Sequence, residues 1–247
     1  MKLMTHVIVG YPTLKDTVTI VETMAKRGVG MVELQIPFSD PLADGPTIMK
    51  ACEQSLAQGT KVKDAFSVMK TLSSYLSISL YFMAYYNTVF RYGTQRFCRD
   101  AKAVGAAGLI VPDMALDEES EEHFIASCKK FGLHNIQVVS PASTDDRLRK
   151  NARVASGFVY CTARQGTTGA KNQLDPNLQS YLRKVKKYFS VPIAVGFGIS
   201  KKEHLVALTG HADIAVVGSA VIDVVAISQP GQYNKNVRRF LTNLLNI

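Results

Sequence analysis

Eight short runs rich in apolar and β-branched residues recur along this chain, and amphipathic segments lie between them. The runs have the length of buried strands, and strands that alternate with helices are typical of a parallel sheet covered by helices. The predicted strands are Leu3–Val9, Gly30–Ile36, Ile78–Met83, Ala107–Val111, Ile136–Val139, Gly157–Cys161, Pro192–Gly196 and Asp213–Val217.

The intervening segments carry helix signals. In "DTVTIVETMAKRG" and "EESEEHFIASCKKFG" apolar residues recur at spacings of three and four residues, as on one face of a helix. Each segment ends on a glycine, as helix C-termini often do. Eight alternations in 247 residues predict an α/β fold, a (β/α)8 TIM barrel that forms one domain over residues 1–247. A doubly wound open sheet is the alternative, but "IVGYPT" after the first strand lacks the GxGxxG fingerprint of such sheets.

Composition narrows the class of protein. The chain has 29 basic and 20 acidic residues, and the excess is spread over predicted helix surfaces and loops rather than gathered in a nucleic-acid-binding motif. No apolar run is long enough to span a membrane, the four cysteines form no CxxC pair, and the histidines lack HExxH spacing. We therefore expect a cytoplasmic protein that binds no metal, no nucleic acid and no membrane.

Two glycine-containing turns follow the last two predicted strands. "VGFGIS" contains Gly198, and "VVGSA" contains Gly218 and Ser219 at a strand-to-helix junction. Glycine lets the backbone approach an anion closely, and the amides of a helix N-terminus then supply donors and positive potential. In a barrel this is the usual phosphate position, so the pair predicts a phosphate site, although either turn alone would serve as a simple turn.

The segment after the sixth strand, Thr162 to Leu174, is polar, contains glycines and is long for a connection. We expect it to close over a ligand as a lid, with Thr168 and Gly169 on the phosphate side. The alternative is an irregular connection with no part in binding.

A carboxylate stands within the second strand. Side chains alternate along a strand, so Met31, Glu33 and Gln35 share one face while Val32 and Leu34 share the other. Because the helix-covered face of a barrel is apolar, Glu33 is expected to point into the barrel, where it could transfer protons. A purely structural ion pair with an Arg or Lys is the alternative.

A second carboxylate, Asp44, lies in "PLADGP", a loop that two prolines hold stiffly. This makes it a candidate second catalytic group, although an Asx turn before Gly45 would also explain an aspartate there.

The stretch "VELQIPFSDPLADGPTI" resembles the signature of the tryptophan synthase α subunit family. "FVYCTARQGTTGA" is similar to the family's lid, and "VGFGIS" and "VVGSA" are similar to its phosphate loops. The resemblance implies cleavage of indole-3-glycerol phosphate to indole and glyceraldehyde 3-phosphate, without metal or organic cofactor. It also implies that Glu33 is the acid/base catalyst and that Asp44 accepts the indole N–H.

By the same resemblance, the substrate-binding residues are Tyr160, Thr168, Gly169, Gly198, Gly218 and Ser219. The resemblance further implies an αββα complex in which a β subunit, which carries pyridoxal phosphate, receives the indole. The loop Ser39–Asp44 and the segment "PDMALDEES" correspond to elements near that interface.

Four features depart from the family pattern. Gln35 replaces a glycine, Tyr11 an aspartate and Ala115 a proline, and the helix that precedes the first strand in the family is not part of this sequence. We expect Gln35 to narrow the pocket or to hydrogen-bond Glu33, so that its replacement by glycine would raise the rate. Two hypotheses follow: a working lyase, or a catalytically weakened subunit that binds a phosphorylated ligand and activates a β partner.

Overall fold

The computed structural model describes residues 1–162, 177–196 and 198–245. Within these ranges, eight parallel strands pair in sequence order and close into a barrel. The strands are β1 (Lys2–Ile8), β2 (Met31–Gln35), β3 (Ser79–Met83), β4 (Gly108–Ile110), β5 (His134–Val139), β6 (Val159–Thr162), β7 (Ile193–Gly196) and β8 (Ile214–Val217). The predicted (β/α)8 barrel is confirmed, and each predicted strand ends within two residues of the observed one.

Twelve α-helices lie within the described ranges and surround the strands. They are α1 (Leu14–Lys26), α2 (Pro46–Ala57), α3 (Val62–Ser73), α4 (Tyr86–Tyr92), α5 (Thr94–Ala103), α6 (Glu119–Glu122), α7 (Phe124–Phe131), α8 (Asp145–Val154), α9 (Leu178–Lys186), α10 (Lys202–Leu208), α11 (Ser219–Ala226) and α12 (Tyr233–Leu245). None of these helices is both long enough and apolar enough to cross a membrane.

One predicted helix is two helices in the structure. The segment from Glu118 to Gly132 is divided at His123, whose backbone is left-handed with φ of 51°. The Glu119 carboxylate accepts hydrogen bonds from the backbone N–H groups of Ile125 and Ala126, at 2.7 and 2.9 Å. These bonds satisfy donors that the first turn of α7 leaves unpaired, so the local side chain stabilises the break.

Strand alternation divides the apolar side chains between two cores. On β2, Val32 and Leu34 belong to the larger core between strands and helices, whereas Met31 belongs to a second core inside the barrel. There the rings of Tyr81 and Phe158 meet edge to face with centroids 5.3 Å apart. Apolar side chains fill the N-terminal end of the barrel in this way, while buried polar side chains join the apolar ones at its C-terminal end.

Candidate active site

A pocket opens at the C-terminal ends of the strands. All six predicted site residues within the described ranges line it, namely Glu33, Asp44, Tyr160, Gly198, Gly218 and Ser219. Thr168 and Gly169 lie outside the described residues, as does the predicted lid after Thr162. The pocket therefore brings both carboxylates and both glycine turns to one rim.

Glu33 is buried on the inner face of β2, in the orientation that alternation predicts, and its partner is a histidine. His6 lies opposite Glu33 in the β1–β2 register, and His6 Nδ1 is 3.1 Å from Glu33 Oε1. Both side chains are about 95% buried. No Arg or Lys is paired with Glu33 among the described residues, so the expected alternative of a lysine or arginine ion pair is not found.

Asp44 is almost fully buried in the β2–α2 loop and holds two donors on a single oxygen. Gln35 Nε2 and the Tyr85 hydroxyl both donate to Asp44 Oδ2, at 2.8 and 2.9 Å. Burial raises the pKa of Asp44 above its usual value, and Glu33 adds to the rise. His6 and the two hydrogen bonds lower the pKa without reversing that rise. Within the described residues no hydrogen bond to Oδ1 is found.

Tyr160 rises from β6 into the same pocket and is fixed by its neighbour on β7. The Cα of Gly196 lies so close to the Tyr160 ring that a Cβ there would overlap the ring. Burial keeps the pKa of Tyr160 well above its usual value, and the charges of Glu33 and Asp44 raise it further. The phenol therefore stays protonated.

The two glycine turns line the part of the pocket that follows β7 and β8. Gly198 has φ of +98°, a conformation that side chains other than glycine rarely adopt. Gly218 is the N-cap of α11, and Ser219 is the first residue of that helix. The amides of a helix start carry partial positive charge, so this part of the pocket suits an anionic group such as a phosphate.

The departures from the family pattern lie at different distances from this pocket. The Gln35 amide donates to Asp44 rather than to Glu33, which corrects the hydrogen bond expected from the sequence, and Gln35 does not line the pocket. Tyr11 is half-buried near Tyr233 and Asp223, and Ala115 precedes a 3-10 turn at 116–118. Neither Tyr11 nor Ala115 lines the pocket.

Two residues of the pocket's polar network were missed from the sequence. The signal for His6 is the same alternation that identified Glu33, since His6 follows Met4 on the inner face of β1. Tyr85 follows Tyr81 and Met83, which share the inner face of β3. No group of three or more His, Cys, Asp or Glu side chains in the described part of the chain is arranged to hold a metal ion.

A family model described as tryptophan synthase alpha chain matches residues 1–245. The chain belongs to this family. The tryptophan synthase alpha chain of Desulfotalea psychrophila is 44% identical over 228 residues, which are 92% of this chain and 89% of that protein. The alpha chain of Roseiflexus castenholzii is 37% identical over 240 residues, which are 97% of this chain and 91% of the relative.

Solved structures agree with this assignment. A mutant tryptophan synthase alpha-subunit of Pyrococcus furiosus superposes with a TM-score of 0.92 at 30% identity, covering 100% of this chain and 98% of that chain. A chain of the tryptophan synthase complex from the same organism superposes with a TM-score of 0.91 at 29% identity and the same coverage. Membership of the tryptophan synthase alpha family indicates a lyase in amino-acid biosynthesis.

Proposed function

We propose that this chain cleaves indole-3-glycerol phosphate to indole and glyceraldehyde 3-phosphate. The observation that carries the proposal is one pocket lined both by two buried carboxylates and by two glycine turns. The carboxylates have different partners, His6 for Glu33 and Gln35 with Tyr85 for Asp44. Different surroundings suit two carboxylates to different proton-transfer roles.

The proposed steps conserve protons. Asp44 accepts the indole N–H proton while Glu33 donates a proton to C3 of the ring, which gives the indolenine tautomer. Glu33 then takes the proton of the adjacent glyceryl hydroxyl as the bond between that carbon and C3 breaks. The bond electrons return to the ring, Asp44 returns its proton to nitrogen, and the products are indole and an aldehyde.

The remaining lining residues have binding roles in this proposal. The backbone at Gly198, Gly218 and Ser219 would hold the phosphate, with the start of α11 contributing its partial positive charge. Tyr160, which stays protonated, would contact the substrate between the carboxylates and the phosphate. No cofactor takes part in these steps.

The decisive experiment measures indole release from indole-3-glycerol phosphate by the purified chain, alone and with a tryptophan synthase β subunit. Release that saturates with substrate supports the lyase. No release under either condition would overturn it.

Gln35 favours a second candidate function, an alpha-like subunit of low activity that acts mainly by activating the β subunit. For this candidate, the Gln35 amide that donates to Asp44 Oδ2 would hold the carboxylate away from the ring nitrogen instead of orienting it toward the ring. In this case mixing with β would accelerate tryptophan formation from indole and serine while indole-3-glycerol phosphate stays uncleaved. The same two assays therefore separate the candidates.

Partnership with a β subunit is part of both candidates. The loop between β2 and α2 carries Leu42, whose side chain is 86% exposed beside the pocket rim. Burying this apolar side chain against a partner would remove apolar surface from water and so favour association. The solved tryptophan synthase complex of Pyrococcus furiosus supports such an assembly for a protein of this fold.

Leu42→Asp tests the partner surface, and Ile227→Asp is its matched control. Ile227 is 85% exposed but follows the C-terminal end of α11, away from the rim. We expect Leu42→Asp to weaken β binding by about tenfold, equivalent to roughly 1.4 kcal/mol, and Ile227→Asp to leave it unchanged. Equal effects, measured by titration of β activation, would exclude the rim as the interface.

A further inference from the structure

Each of the two carboxylates has its own polar partner: His6 contacts Glu33, and Gln35 contacts Asp44. His6 Nδ1 is 3.1 Å from Glu33 Oε1, and Gln35 Nε2 is 2.8 Å from Asp44 Oδ2. The strand register places these two pairs side by side, because His6 is opposite Glu33 and Ile8 is opposite Gln35. All of these polar side chains are buried.

Two buried atoms within this group lack a hydrogen-bond partner among the described residues. They are His6 Nε2 and Gln35 Oε1. An unpaired buried polar atom costs about 1–3 kcal/mol, so a pair of such atoms needs an explanation. The two are complementary, since a protonated imidazole nitrogen donates and an amide oxygen accepts.

We propose that His6 and Gln35 join the two carboxylates into a single relay, Glu33–His6–Gln35–Asp44, in which the His6 Nε2–H donates to Gln35 Oε1. The inference rests on the proposed function and adds two positioning residues to it. His6 holds a proton beside Glu33, and Gln35 orients Asp44 toward the ring nitrogen. The relay consumes no proton in a turnover, because Glu33 gives one to carbon and takes one from oxygen.

The electrostatic surroundings of His6 support this arrangement. Burial lowers the pKa of His6, but Glu33, Asp44 and Gln35 together outweigh burial and raise the pKa above its usual 6.5. Glu33 and Asp44 are the titratable groups that face His6 from β2 and its loop, and Tyr160 faces both carboxylates from β6. On the β8 side the neighbour is Gly218, which has no side chain. The site therefore favours the imidazolium form more than water does.

The first test follows the imidazole nitrogens of the full chain by NMR during a pH titration, with His6 assigned from its absence in His6→Phe. We expect His6 to titrate above 6.5 in the unmodified chain. In Glu33→Gln the pKa of His6 should fall below that value, because burial lowers this pKa and the negative charge that raises it has been removed. Gln35→Leu should lower it by less. A His6 that titrates below 6.5, or that does not respond to Gln35→Leu, would overturn the relay.

The second test is kinetic. Losing a hydrogen bond to a charged group should lower the kcat of His6→Phe by roughly 10- to 100-fold, with KM for indole-3-glycerol phosphate changed much less. His6→Asn keeps a donor for Glu33 and should recover part of the rate. We expect kcat of the unmodified chain to decline as pH rises through the pKa of His6, and His6→Asn should lack this decline.

Coupling provides the third readout. Since both residues act in one relay, the losses in His6→Phe and Gln35→Leu should not add in the double variant. Met4→Leu, on the same inner face of β1, is the control and should retain the full rate. Additive losses would refute the relay. If the unmodified chain forms no indole, the proposed function fails, and the NMR titration still decides whether the relay exists.

Discussion

The two ends of the barrel interior are built from the same alternating strand positions, but the upper, C-terminal end carries two buried carboxylates among its apolar side chains. At the lower end Met31, Tyr81, Phe158 and Ile214 pack against each other as one apolar cluster. Two residues further up β2, the position that follows Met31 on the same face is Glu33. The change from methionine to glutamate within one strand face marks the boundary between a packed core and a reactive pocket.

The energetics of the two ends differ in the same way. Burying apolar surface stabilises the folded chain by roughly 25 cal/mol per Å². Burying charged or polar groups costs free energy unless partners compensate, and the upper end buries Glu33, Asp44 and His6. Packing at the lower end therefore raises the free energy of unfolding, whereas burial of polar groups at the upper end lowers it. This pattern is expected where function determines the residues.

The largest expected effect tests the upper end. Glu33→Gln should lower kcat for indole formation by about 10²- to 10⁴-fold, since proton transfer to carbon is lost, and Asp44→Asn should act similarly. Binding of glyceraldehyde 3-phosphate, measured by calorimetry, should stay nearly unchanged because the glycine turns are intact. Unmodified turnover in either variant would refute the assigned role.

The next effect tests the lower end. Ile214→Ala should lower the free energy of unfolding by about 2–5 kcal/mol, because a buried side chain is removed from the apolar cluster. The kcat per folded molecule should be retained. Ile227→Ala is the matched control, and as an exposed isoleucine it should change stability by less than about 0.5 kcal/mol in denaturant titrations. A large loss of kcat in Ile214→Ala would mean that the two ends are not separable.

Much of this division could be predicted from the sequence. Period-two alternation identified the inner face of β2, and the glycine turns at Gly198 and Gly218 were predicted to meet, because strand ends of a parallel barrel share one rim. Tyr85 and the direction of the Gln35 amide were not predicted. Both depend on which donor reaches Asp44 across several strands, and a one-dimensional pattern does not contain that information. The break at His123 was missed because its cause is a single side-chain cap.

A third prediction concerns the positioning of Tyr160. Gly196→Ala would place a Cβ inside the Tyr160 ring, and overpacking of this kind typically costs about 1–3 kcal/mol. We expect the free energy of unfolding to fall by a comparable amount. The KM for indole-3-glycerol phosphate should rise as the ring is displaced. The control is Gly30→Ala at the lower end, where a Cβ would meet nothing closer than a backbone oxygen at 4.0 Å. Equal effects in the two variants, by thermal unfolding and kinetics, would remove the proposed constraint on Tyr160.

The smallest expected effect concerns Asp44 and the cost of burying it. The folded-state pKa of Asp44 is raised above its usual 3.8, chiefly by burial, so the folded chain binds this proton more tightly than the unfolded chain does. Its stabilising contribution is therefore complete below the unfolded pKa and is lost as pH rises through the folded pKa.

Asp44→Asn carries no such charge and should melt higher than the unmodified chain at neutral pH, by on the order of 2 °C. The difference should vanish as pH falls below 3.8, because both chains are then neutral at this position. An unmodified chain that melts higher than Asp44→Asn at neutral pH would show that the bonds from Gln35 and Tyr85 fully offset the cost of burial. The charge on Asp44 would then stabilise the folded chain instead of destabilising it.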